Sequence, residues 1–72
     1  MQFHIGEIAW VRDDEDESDF YRATVQSVSL KEQTALVTYE TDHYYKEREI
    51  TFEELEKIQD LMFETASWWR KR

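Results

Sequence analysis

The spacing of the apolar residues changes at Thr51, and this change most limits how the chain can fold. Before Thr51, apolar and polar residues tend to alternate, as they do along a β-strand with one buried face. After Thr51, the apolar residues recur at steps of three and four, which is the spacing of one helix face. They are Phe52, Leu55, Ile58, Met62, Ala66 and Trp69. The pattern predicts a mainly β domain that is followed by an amphipathic helix.

Four segments before Thr51 have the composition of β-strands: IGEIAWV, FYRATVQSVSL, TALVTYE and EREIT. The apolar spacing in the second segment shifts phase between Val25 and Val28, which predicts a bend or a bulge. EREIT is charged enough to suit a sheet edge, and TDHYYK before it is predicted to be a turn. We expect Trp10 in the core, because a few large side chains must fill a small barrel.

The predicted helix has recognisable signals at both ends. Thr51 and Glu54 have the spacing of a capping box, and RKR places positive charge at the helix C-terminus. We expect this helix to cover an open end of the sheet and to complete its core. The alternative is a surface for a partner or a second copy, because Phe63, Trp68 and Trp69 cannot all lie on one apolar stripe and exposed large rings usually mark contacts.

Size and charge exclude several classes of protein. The 72 residues suffice for one small domain, with 17 acidic and 9 basic residues and a formal net charge of −8. Such a charge disfavours direct binding of nucleic acid. The chain has no cysteine and two histidines, and it contains no nucleophile motif, no phosphate loop and no apolar run of about 20 residues. We expect a non-catalytic, intracellular protein without metal or cofactor.

The strand segments resemble a known family. IGEIAWV, DFYRATVQSVSLKEQTALVTYE and REITFEEL are similar to the Tudor domain, in particular to its survival-motor-neuron type. This resemblance implies a small, SH3-like antiparallel barrel of four to five strands, over about residues 5–51. The helix over about residues 52–69 is predicted by the apolar spacing alone, because Tudor barrels commonly end in a short turn. Chromo barrels and Agenet domains share this appearance.

The resemblance also implies a function. Tudor domains of this type hold methylated arginine or lysine in a cage of aromatic rings, whose faces attract the cation. On this chain, Tyr21 and Tyr39 match two cage positions, and one of Tyr44 or Tyr45 is expected to join them. Adjacent strand residues face opposite ways, so only one of that pair is expected at a given site. Asp13, Asp14 and Asp42 are the predicted acidic rim. A nuclear location would follow from the resemblance, and a cytoplasmic one otherwise.

A second hypothesis uses the acidic surface without a cage. In that case a small viral or bacterial interaction protein would occupy the basic, nucleic-acid-binding groove of its partner. The acidic run over residues 13–19 is predicted to be a solvated loop, and at a distance it would attract any basic segment. A third possibility is self-association through the helix.

Overall fold

The computed structural model describes the backbone of residues 2–15 and 19–70, and the side chains of those residues as far as Phe63. Four strands and one helix follow each other along the chain: β1 (Ile8–Arg12), β2 (Phe20–Ser29), β3 (Thr34–Glu40), β4 (Tyr45–Thr51) and α1 (Phe52–Arg70). The strands form one antiparallel sheet in the order β1-β2-β3-β4. This arrangement confirms the predicted mainly β fold with a C-terminal helix.

The inner face of the sheet forms the core. Its small and medium apolar side chains come from alternate strand positions, and they meet Phe3 from the N-terminal segment and Phe52 and Leu55 from α1. The prediction that Trp10 belongs to this core is wrong. Its neighbours Ala9 and Val11 are buried on the inner face. Trp10 therefore lies on the outer face, where the Arg22 guanidinium carbon is 5.4 Å from the centroid of its ring.

The predicted irregularity in β2 is confirmed. The pairing between β2 and β3 shifts register between Val25 and Ser27, so one extra residue is accommodated there. On its other side, Val25 accepts a hydrogen bond from the Gly6 N–H at 2.8 Å and donates its own N–H to the Glu7 carbonyl at 2.9 Å. Gly6 has a φ of 89°, a conformation that favours glycine, and so the chain can turn into β1.

The hairpin between β3 and β4 is tighter than the sequence predicted. Tyr45 and Lys46 belong to β4, where Tyr45 pairs with Glu40, so the turn covers only residues 41–44. The Thr41 hydroxyl accepts hydrogen bonds from the N–H groups of His43 at 3.2 Å and Tyr44 at 2.9 Å. This local capping by a threonine stabilises a four-residue turn.

A closed barrel is not confirmed, because no backbone pairing joins β1 to β4 in the described ranges. Side chains cross this gap instead. Arg48 of β4 donates a hydrogen bond to the Arg12 carbonyl of β1 at 2.8 Å. From α1, the Gln59 amide accepts the Trp10 N–H and donates to the Trp10 carbonyl, both at 2.8 Å. Gln59 thereby satisfies backbone groups at the free edge of β1.

The helix fills the open side of the sheet. Thr51 caps it, because its hydroxyl accepts the Glu54 N–H at 3.1 Å. Leu55 is 0% exposed and Ile58 is 5% exposed, whereas Phe63 is 72% exposed. Among the helical residues that the structure describes, no stretch is both long and apolar enough to cross a membrane. The side chains of Trp68 and Trp69 lie outside the described residues, so their predicted contacts stay a prediction.

Candidate functional site

One end of the inner sheet face carries a polar network. Tyr39 is 3% exposed, and its hydroxyl donates a hydrogen bond to Asp13 Oδ1 at 2.9 Å. Lys46 lies opposite Tyr39 on β4 and donates to the same oxygen at 2.9 Å. Arg48 Nη1 lies 3.4 Å from the Tyr39 hydroxyl oxygen. A carboxylate with so little exposure needs such partners, because its burial without them would be costly.

Lys46 ties the start of the acidic loop to β4. Besides Asp13, its ammonium group donates to Asp14 Oδ1 at 2.9 Å and to Glu15 Oε2 at 2.6 Å. An ammonium has three hydrogens to donate, and each is matched by one carboxylate. The hydrogen bonds to Glu15, Asp13 and Asp14 raise the pKa of Lys46 above its ordinary value. The hydrogen bond from Lys46 is also the main reason why the pKa of Asp13 is lowered to about 2, although burial opposes this change.

The lowered pKa of Asp13 predicts an acid-dependent loss of stability. Because the folded pKa is about 2 and the ordinary value is 3.8, the unfolded chain takes up the proton first as the pH falls. The contribution of Asp13 to the free energy of unfolding is thus present above pH 3.8 and is lost between pH 3.8 and about 2. Urea denaturation at several pH values should show that, in this pH window, the free energy of unfolding falls less steeply for Asp13→Asn than for the wild type. Asp42→Asn controls for net charge, and a wild-type slope in Asp13→Asn would contradict the prediction.

The same three carboxylates lie close enough together to hold a metal ion. The ligand oxygens of Asp13, Asp14 and Glu15 all lie within 4.8 Å of one another, and carboxylate oxygens are suitable ligands for hard cations. The Lys46 ammonium already contacts all three. We therefore interpret the cluster as an ion-pair network that fixes the loop to the sheet, and we assign no metal to it.

Above this network lies a shallow surface depression of about 440 Å³, lined by Asp14, Glu15, Tyr44, Tyr45 and Lys46. Both tyrosines are exposed, Tyr44 by 60% and Tyr45 by 66%. The side chains of Asp14 and Glu15 are 51% and 69% exposed, whereas Lys46 is only 15% exposed. The depression therefore offers a ligand two aromatic rings and two carboxylates, while the lysine is largely covered.

The hairpin explains why both tyrosines reach this depression. Tyr45 is the first residue of β4, but Tyr44 belongs to the turn that Thr41 caps. The expectation that only one of them could join a site assumed that both were strand residues, and it is wrong for this reason. The Tyr44 ring also contacts His43 edge to face, with ring centroids 6.1 Å apart. The turn thus places two adjacent aromatic side chains at one site.

The structure separates the predicted cage residues into two groups. Tyr21 is half-buried and stacks on Tyr39, with ring centroids 5.6 Å apart and an interplanar angle of 22°. Neither ring lines the depression of Tyr44 and Tyr45. Because Tyr39 is 3% exposed, its ring faces are covered in this conformation. The predicted cage of Tyr21, Tyr39 and one of Tyr44 or Tyr45 is therefore not formed in this conformation.

The predicted acidic rim and partner surface are also distributed differently. Asp13 is 6% exposed and supports the depression from below, and Asp42 is exposed but is not among its lining residues. Phe63 is exposed on α1. Sequence reasoning did not single out Glu15 or Lys46. The register of the β3–β4 hairpin would have revealed Lys46, because it places this residue directly opposite Tyr39.

A larger depression, of about 530 Å³, follows the start of α1. Acidic side chains dominate its lining, which consists of Glu32, Gln33, Thr51, Phe52, Glu53, Glu56, Lys57 and Asp60. Its one aromatic residue, Phe52, is only 4% exposed, so a cation would meet no aromatic face there. The smaller depression at Tyr44 and Tyr45 has the chemistry that suits an organic cation better.

No family model matches the sequence, and neither the curated proteins nor the solved structures contain a match to it.

Proposed function

We propose that this domain is a non-catalytic binding module that takes a cationic side chain of a basic protein segment into the depression at Tyr44 and Tyr45. The observation that carries the proposal is the pairing of two exposed tyrosine rings with two exposed carboxylates in one depression. Aromatic faces attract lysine and arginine, and neighbouring carboxylates add charge-assisted hydrogen bonds.

The charges around the depression favour a cationic ligand. Lys46 neutralises part of the local acid, but it uses one oxygen of Asp14 and one of Glu15. A carboxylate has about four acceptor positions, so Glu15 keeps others for a ligand, whereas Asp14 Oδ2 also lies 3.8 Å from Arg48 Nε. The net charge of −8 also attracts a basic segment from a distance, which increases the association rate at low salt.

Methylated arginine or lysine is the finer form of this proposal, and the Tudor resemblance is what suggests it. Methylation keeps the positive charge and enlarges the apolar surface that rests on aromatic rings. On this chain the rings for such a ligand are Tyr44 and Tyr45, rather than the stacked pair of Tyr21 and Tyr39. Tighter binding of methylated than of unmodified peptide would support this form.

Calorimetric titration with an arginine-rich and a lysine-rich peptide tests the proposal. We expect the double variant Tyr44→Ala/Tyr45→Ala to bind about five- to thirtyfold more weakly, since each exposed cation–π contact contributes roughly 0.5–1 kcal/mol. Both rings are exposed, so the fold should be retained. Circular dichroism of the variant checks this point.

The matched control is Phe63→Ala, which removes an exposed ring of α1 that lies outside the depression. It should bind both peptides like the wild type. Equal affinity of the wild type and the double tyrosine variant would contradict the proposal. Weaker binding by Phe63→Ala alone would instead move the site to the helix.

The second candidate function, occupation of the basic nucleic-acid-binding groove of a partner, has one supporting observation. The larger depression at the start of α1 extends the acidic surface through Glu32, Glu53 and Asp60. This function needs a broad acidic face and no aromatic site. It would therefore survive Tyr44→Ala/Tyr45→Ala and weaken in the variant Glu32→Gln/Glu53→Gln/Asp60→Asn.

A further inference from the structure

We infer that the depression binds the basic segment Trp68–Arg72 of a second copy of this chain. The inference rests on the proposed function, because it names the partner of the same site. This segment reads WWRKR and contains three of the nine basic residues as one contiguous run. The remaining basic residues are separated from one another along the chain: Arg12, Arg22, Lys31, Lys46, Arg48 and Lys57.

Several of those separated cations already have partners within the fold. Lys46 contacts three carboxylates, Arg48 donates to the Arg12 carbonyl, and Lys57 pairs with Glu53 at 3.3 Å on the same helix. The guanidinium groups of Arg12 and Arg22 rest on Phe20 and Trp10. The contiguous run at residues 70–72 is therefore the strongest basic element of the sequence, and it carries the charge opposite to that of the depression.

The described backbone of α1 continues well beyond its contact with β1. Gln59 holds the helix to β1 through two hydrogen bonds, and the helix then continues to Arg70. At 1.5 Å per residue, these eleven further residues extend about 16 Å along the helix axis. The described backbone between Gln59 and Arg70 is one uninterrupted helix, which does not fold back on itself. We therefore assign the segment to the depression of another copy rather than to that of its own chain.

The chemistry of the segment matches that of the depression. A planar guanidinium stacks on a tyrosine ring and donates to carboxylates at the same time, and the depression offers both groups. Trp68 and Trp69 would enlarge the contact, since tryptophan is common at the centres of interfaces. The contact is head-to-tail: two copies that exchange their segments form a closed dimer, and an unreciprocated exchange forms an open chain.

Sedimentation velocity of the whole chain over a concentration series tests the inference. The wild type should associate reversibly, and association should weaken as salt rises from about 0.05 to 0.5 M, because exposed charges are screened. The variant Arg70→Gln/Lys71→Gln/Arg72→Gln and the variant Tyr44→Ala/Tyr45→Ala should each associate at least about fivefold more weakly. Each variant loses one side of the same contact.

Mixing these two variants gives the decisive result. One retains the depression and the other retains the basic segment, so the mixture should form one-to-one pairs that neither variant forms alone. Association of the segment variant at the wild-type level would overturn the inference, as would a mixture that stays monomeric while the wild type associates. A wild type that stays monomeric but binds added basic peptide would overturn the inference and leave the proposed function intact.

Discussion

Replacing Tyr39 by alanine is expected to lower the free energy of unfolding by about 3–5 kcal/mol, as for other large buried aromatic side chains. Tyr39 is 3% exposed, stacks on Tyr21 and donates its hydroxyl to Asp13. The substitution thus removes core volume and one partner of a carboxylate that is itself 6% exposed. Urea denaturation followed by circular dichroism measures the loss, which is most of the stability expected of a small domain.

Tyr44→Ala is the matched control, because it makes the same substitution at a ring that is 60% exposed. It should change the free energy of unfolding by no more than about 0.5 kcal/mol. Together the two variants distinguish a structural tyrosine from a binding one. A stable Tyr39→Ala variant that no longer binds basic peptide would contradict our assignment and would return Tyr39 to the site.

Replacing Leu55 by alanine is expected to lower the free energy of unfolding by about 2–5 kcal/mol. Leu55 is 0% exposed and belongs to the same cluster as the inner-face residues of the sheet. A loss of this size means that sheet and helix share one core and unfold together. The same urea series checks the result, with a single transition and an unchanged dependence on denaturant.

Leu61→Ala is the control on the same helix, since Leu61 is 41% exposed. Leu61→Ala should lower the free energy of unfolding much less than Leu55→Ala, because the Leu61 side chain buries less apolar surface. If both substitutions lowered the free energy of unfolding by the same small amount, this would contradict the claim that sheet and helix share one core. A first transition at low urea that removes only helical signal would lead to the same conclusion.

The elements of the fold were predictable because their signals are local. Alternation of apolar residues marks β1 and β3, the phase shift between Val25 and Val28 marks the bulge, and Thr51 marks the start of α1. Each signal depends on residues that are close in sequence. Closure of the sheet has no such signal. Instead, the Arg48 side chain joins β4 to β1, and the Gln59 side chain joins α1 to β1.

The candidate site was harder to predict because it depends on register between distant segments. Sequence reasoning identified Tyr44 and Tyr45, but it treated them as alternatives, since the extent of the Thr41 turn was unknown. The Tudor resemblance placed Tyr39 in the cage, and the sequence alone does not distinguish a buried from an exposed tyrosine at this position. Tyr39 belongs to the core cluster, and its buried hydroxyl is satisfied by Asp13, which is 26 residues away.

The prediction of a solvated loop over residues 13–19 was wrong for Asp13, also because of a contact between distant segments. An acidic run is usually solvated, yet Asp13 is buried, and Lys46 contacts it together with Asp14 and Glu15. Lys46 lies more than 30 residues along the chain from all three. The first three residues of the acidic run are therefore held by Lys46 and form part of the site.

The most direct test of the central claim is a nuclear magnetic resonance titration of the labelled protein with arginine-rich and lysine-rich peptides, each unmodified and methylated. We predict that the largest chemical-shift changes occur at the exposed residues that line the depression, which are Asp14, Glu15, Tyr44 and Tyr45. Chemical-shift changes centred on Glu32 and Glu53 in the larger depression at the start of α1, with Tyr44 and Tyr45 unaffected, would contradict the claim that Tyr44 and Tyr45 bind the peptide.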